Sequence, residues 1–141
     1  QKNIQGHEAL AIAFGQALQM TNILKDSPED KARGVSWKPA GMSHTALLQI
    51  AYQKLLESMQ YILLIPKKDV EIRCFCLLAF GLAVMTLSKI ADRKNFNNKN
   101  EVKLSRKTVM TFYAFSKIAV RSNALIKAFF YFGSSPLRKA L

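Results

Sequence analysis

Gln19, Asn22, Asp26 and Asp30 follow one another at steps of three, four and four residues. On a helix turning by roughly 100° per residue, those steps keep all four side chains within about 80° of one face. Two amides and two carboxylates on one stripe are unusual for a segment otherwise rich in Leu, Ile and Ala. Carboxylates four residues apart converge their oxygens on one point. That arrangement suits a hard cation such as Mg2+, which takes one or two protein carboxylates and completes its shell with water and substrate phosphate. The neighbouring amides can orient phosphate oxygens or those waters. The chemistry this stripe could do is the holding of a Mg2+–diphosphate cluster. Asp-x-x-x-Asp alone is common on solvated helix faces, so the residues around it decide between a site and an ordinary polar face.

Downstream lie Arg33-Gly34 and Trp37-Lys38-Pro39. Read together, Gln19, Asn22-Ile23, Lys25-Asp26, Glu29-Asp30, the basic-glycine turn and the aromatic-x-Pro resemble the second aspartate-rich motif of the squalene/phytoene synthase family. The chain departs from that pattern at Pro28, where the family usually has no proline, and at Val35, where many members carry Arg. The resemblance extends from about Gly6 to Phe132 and implies an all-α, terpenoid-synthase-type helical bundle. It implies head-to-head joining of two prenyl diphosphates, farnesyl diphosphate in squalene-type members, towards squalene or a related carotenoid or triterpene precursor. By the same resemblance Asp26 and Asp30 are the catalytic metal ligands for Mg2+, and Gln19, Asn22 and Arg33 bind substrate. The run Val102-Lys103-Leu104-Ser105-Arg106-Lys107 is similar to one that the family associates with diphosphate or with NADPH, which adds Lys103 and Arg106 to the substrate-binding set. The Leu64–Cys76 run is similar to bacterial squalene-synthase-like (farnesyl-diphosphate farnesyltransferase) members. Family members are about twice as long and carry a first aspartate-rich motif that does not precede Gln19 here. The resemblance therefore casts this chain as the C-terminal half of such an enzyme, inactive alone, with the missing N-terminal half as its partner.

The elements that must position these residues are helices. Residues 4–26 read as a first helix, with Ile4, Leu10, Phe14, Leu18 and Leu24 on a broad apolar surface. Gly15, near the face of Gln19 and Asn22, leaves room for a ligand or for close helix packing. Pro28 lacks the N–H that would bond back to Leu24. It predicts a break there, with Ser27 capping a new turn that moves Asp30 off the stripe. Ser43 caps a helix over residues 44–65 that Pro66 ends. A third helix runs from Lys67-Lys68-Asp69 to about Ala91. Its core, Cys74 to Leu87, has fourteen residues with only Thr86 polar. Fourteen falls short of the roughly 20 needed to span a bilayer, so this is a buried core helix. Phe75, Phe80, Leu82 and Met85 are candidates for the wall of an isoprenoid pocket. A polar loop from Asp92 to Glu101 leads to one last long helix ending near Phe132, then a tail over residues 133–141.

A chain of 141 residues, half of them hydrophobic, is one domain's worth with a real core. Its net charge of +12 is uneven: residues 1–66 hold six basic and five acidic side chains, and residues 67–141 hold fifteen and four. That basic half asks for an anionic partner. Cys74 and Cys76, two apart in an apolar run, form neither a disulfide framework nor a metal spacing. They read as free thiols of a reducing, cytoplasmic compartment. The chain starts at Gln1 without a signal segment, which reads as a protein with something missing upstream. Two other readings stand beside the synthase. One is a basic helical module binding membrane or nucleic acid, with Phe129-Phe130-Tyr131-Phe132 resting peripherally in a lipid interface; no helix-turn-helix, zinc or RNA-binding signature supports nucleic acid as the partner. The other is an inactive remnant of the synthase.

Overall fold

The computed structural model describes residues 6–93 and 95–141. Ile4 and Gln5, read above as the start of the first helix, lie outside the described residues, as does Lys94 of the polar loop. The order is α1 (Glu8–Ala32), α2 (His44–Leu64), α3 (Val70–Asp92), a 3-10 turn (Lys99–Glu101), α4 (Arg106–Ala119), α5 (Asn123–Gly133) and α6 (Ser135–Ala140), with no strand among the described residues.

Hydroxyl caps start three of these helices. Ser43 Oγ accepts the Ala46 N–H at 3.0 Å, Ser105 Oγ that of Thr108 at 3.1 Å, and Ser122 Oγ that of Leu125 at 3.2 Å. Each satisfies a donor that the first helical turn leaves unpaired. The Ser122 cap corrects the expectation of one last long helix. The chain turns after Ala119, where the Ser122 N–H bonds the Ala119 carbonyl at 2.8 Å, and restarts as α5. The tail is not irregular either. Pro136 sits in the first turn of α6, where its missing N–H costs nothing.

The expected break at Pro28 does not occur. Pro28 lies inside α1, which continues to Ala32. The reason is local: Ser27 Oγ donates to the Leu24 carbonyl at 2.9 Å, the very acceptor that Pro28 cannot reach with an N–H. Ser27 is thus a substitute donor within the helix and not the cap of a new one.

The core is built on α3, where Leu77, Phe80, Val84, Leu87 and Ile90 are wholly buried. By length and composition α3 could cross a membrane, but 61% of its most apolar window is buried inside the fold. α1 packs on α2 and α3; α4, α5 and α6 pack on α3, and α5 and α6 also reach α2. Among the described residues α1 touches none of the last three helices. Gly81 lets α4 close on α3, since a Cβ there would lie 2.0 Å from the Phe112 ring. Phe112 in turn meets Phe129 of α5, with ring centroids 4.7 Å apart. The four pocket-wall candidates divide: Phe80 is core, Leu82 and Met85 are half-buried, and Phe75 is 71% exposed.

Candidate functional site

The buried face of α1 is Ala13, Ala17, Thr21 and Leu24. Asp30 follows Thr21 by nine residues, about 180° around the helix at roughly 100° per residue. The stripe therefore points away from the face that α1 packs into this chain. Gln19 and Asn22 are exposed, as is Gly15, where an added Cβ would meet nothing within 4 Å. Close helix packing does not explain that glycine here; open space does. Because α1 is unbroken at Pro28, Asp30 stays on the stripe with Asp26.

The three carboxylates of this region differ in what holds them. Glu29 is engaged: Lys99 Nζ lies 3.3 Å from its Oε2, and the Lys99 N–H donates to Oε1 at 3.4 Å. Asp26 and Asp30 have no ion-pair partner among the described residues, and Asp26 Oδ1 is buried without a hydrogen bond. A buried carboxylate oxygen left unpaired is costly, and it is what a missing cation or donor would satisfy.

Beside the stripe, the C-terminal end of α1 opens on a cleft of about 710 Å³. Asp30, Lys31 and Ser27 form one wall, and Trp37, Lys38, Asn95 and Asn97 contribute to the rest. Trp37 is 68% exposed there. The turn that folds this loop back is set by Gly34, at φ +75°, and by the Val35 N–H bonding the Asp30 carbonyl at 2.8 Å. Lys38 is thereby brought to the cleft that Asp30 lines.

Residues 1–49 match the squalene/phytoene synthase family model. No curated protein and no solved structure matches the chain. The matched residues take in α1, its stripe, the Trp37-Lys38-Pro39 loop and the first turns of α2. The resemblance traced to Phe132 is supported over this first third, and no branch of the family is distinguished. The squalene/phytoene synthase match implies a terpenoid-synthase-type helical fold, with which the six helices agree.

The family implies Mg2+, and the donor set can be tested against it. Among the described residues no group of three or more His, Cys, Asp or Glu gathers to form a metal cage. Mg2+ does not require one, because it keeps waters and takes one or two carboxylates with substrate phosphate. Two carboxylates on one helix face, one with an unsatisfied buried oxygen, fit that requirement. Asp26 and Asp30 are the residues that would hold the ion.

The remaining predicted residues are more scattered. Asn22 Oδ1 accepts from Lys25 Nζ at 3.4 Å. Arg33 is the exposed C-cap residue of α1, bonded through its N–H to Glu29 and Asp30 carbonyls, and it does not line the cleft. Lys103 and Arg106 are exposed and make no ion pair among the described residues; the Lys103 carbonyl accepts from Lys89 Nζ at 2.8 Å. The base that meets α1 from this part of the chain is Lys99 instead. Lys99, Asn95 and Asn97 belong to a polar loop whose composition carries no site signal. Nothing in their spacing announces that Phe96 and Val102 are buried and pin that loop to the fold.

Proposed function

We propose that this chain supplies the second aspartate-rich half of a Mg2+–diphosphate site in a head-to-head prenyltransferase of the squalene/phytoene synthase type. The observation that carries the reading is the pair of unengaged carboxylates, Asp26 and Asp30, on the outward stripe of an unbroken α1, next to a Glu29 that Lys99 has taken out of play. Support also comes from the family match, which falls on these residues.

In this reading Gln19 and Asn22 orient the diphosphate and its waters, and Lys38 offers a positive charge from the cleft wall. Mg2+ held by the two aspartates would supply Lewis-acid neutralisation of diphosphate oxygens as an allylic C–O bond breaks. The facing surface, with the first aspartate-rich motif, comes from a second half that closes over the stripe and keeps water from the reacting carbon. Farnesyl diphosphate as substrate and a bacterial squalene-synthase-like placement belong to this proposal. So do Lys103, Arg106 and NADPH use, which lie on a run beyond the matched residues.

The test uses Mn2+ as a paramagnetic stand-in and follows backbone amides of the chain by NMR. Broadening should centre on Asp26 to Asp30 and reach Gln19 and Asn22. It should be lost in Asp26→Asn and kept in Glu29→Gln, whose surface ion pair is worth only about 0.2–1 kcal/mol. Broadening centred elsewhere, or identical in both variants, would overturn the reading.

A further inference from the structure

Residues 102–141 contain eight Lys or Arg and no Asp or Glu. Soluble surfaces ordinarily intersperse both signs. Here a whole layer, α4 to α6, presents one. The same layer contains an apolar groove of about 610 Å³ between the flanks of α4 and α5, floored by Met85, Phe112 and Phe129. Phe115 forms one wall, Leu125 and Phe132 the other, and Lys107 is its charged lining residue. Phe132 is 72% exposed although it is aromatic and belongs to a helix otherwise anchored by Ile126 and Phe130.

At the Phe132 rim of the groove a cation meets an aromatic ring. The Arg138 guanidinium sits 4.2 Å above the Tyr131 ring, and Tyr131 packs edge-on against Phe132 at 5.3 Å. A second such pair, Lys117 4.8 Å over Tyr113, lies on the face of α4 turned away from the groove. Ile118 is 72% exposed on the same helix. Exposed apolar and aromatic side chains in a layer whose charged groups are all basic are what a helix surface needs to rest at an anionic headgroup boundary.

Other anionic occupants fit less well. A nucleic-acid groove is positively charged along its length, whereas this one has a single charged lining residue. A second copy would set one acid-free layer against another, which like charges disfavour. We propose that the α4–α5 groove docks on the surface of an anionic phospholipid bilayer, an aliphatic chain entering between Phe115, Leu125 and Phe132 while Lys107 and its basic neighbours hold headgroup phosphates. This does not depend on the metal site of α1.

The test is co-sedimentation of the chain with vesicles of phosphatidylcholine alone and of phosphatidylcholine with phosphatidylglycerol in equal parts. Binding should be confined to the second and weaken as salt is raised. Lys107→Glu should lower the partition coefficient about fivefold or more, and Phe132→Ser about tenfold. Both side chains are exposed, so the variants fold as the parent does. Lys68→Glu, in the connection between α2 and α3, should leave binding unchanged. Equal binding to both vesicles would overturn the proposal. So would a Lys68→Glu loss matching that of Lys107→Glu, which means diffuse charge, or no effect of Phe132→Ser. Vesicle-free self-association or duplex DNA binding that Phe132→Ser abolishes would assign the groove to a macromolecular partner and overturn it too.

Discussion

At the scale of single residues, the stripe depends on a substitution of one donor for another. Ser27 Oγ serves the Leu24 carbonyl because Pro28 cannot. Pro28→Ala should stabilise the chain by about 1–2 kcal/mol, the relief of an interior proline reduced by the looser unfolded state. Ser27→Ala should cost about 1 kcal/mol in the parent, where the carbonyl is orphaned. In the Pro28→Ala background the same change should cost little, because a backbone N–H has returned. A double-mutant cycle read by urea denaturation checks this, and additive effects would contradict the assignment. Cys76 makes a second case. Burial raises its thiol pKa above the ordinary value, so the folded chain holds that proton more tightly than the unfolded one. Its contribution is complete below the unfolded thiol pKa, near 8.5, and fades as pH rises through the raised folded value. Unfolding midpoints measured from neutral to alkaline pH should fall less steeply in Cys76→Ala than in the parent.

At the scale of elements, Arg73 is the joint. It is fully buried, and one guanidinium nitrogen donates to the Ile65 carbonyl at 2.7 Å while another donates to Asn123 Oδ1. The end of α2, the first turn of α3 and the start of α5 thus meet on one side chain. Removing it leaves one buried and one half-buried acceptor, and a cavity. Arg73→Ala should destabilise by about 3 kcal/mol or more, whereas Arg73→Met with Asn123→Leu should recover much of the loss by removing donor and acceptor together. Thermal unfolding of the two variants decides it. The sequence showed where α2 begins and ends because Ser43 and Pro66 are strong local signals; α3 starts at Val70, just after the Lys67-Lys68-Asp69 expected to open it. It did not show the turn between α4 and α5, since Ser122 is a short polar interruption in a segment whose periodicity continues on both sides. Nor could an almost uniformly apolar α3 reveal that Arg73 turns inward and Phe75 outward. That choice is made by the helices packed against it.

At the scale of the molecule, the candidate site was legible as a stripe and illegible as a surface. Spacing alone put Gln19, Asn22, Asp26 and Asp30 together; only the packing shows that Gln19 and Asn22 face out of this chain while Asp26 and Asp30 are half-buried beside the cleft. Lys99 lies seventy residues from its partner Glu29, beyond the reach of any local pattern. The layering has an electrical consequence. The end of α1, where Lys25, Lys31 and Arg33 balance Asp26, Glu29 and Asp30, and the acid-free helices α4 to α6 are held apart by α2 and α3 and never touch. The positive charge of the molecule is accordingly off-centre, and a charged plane exerts a torque on it as well as a pull. Near a negative sheet it would arrive with one orientation favoured before any contact forms, its basic layer leading.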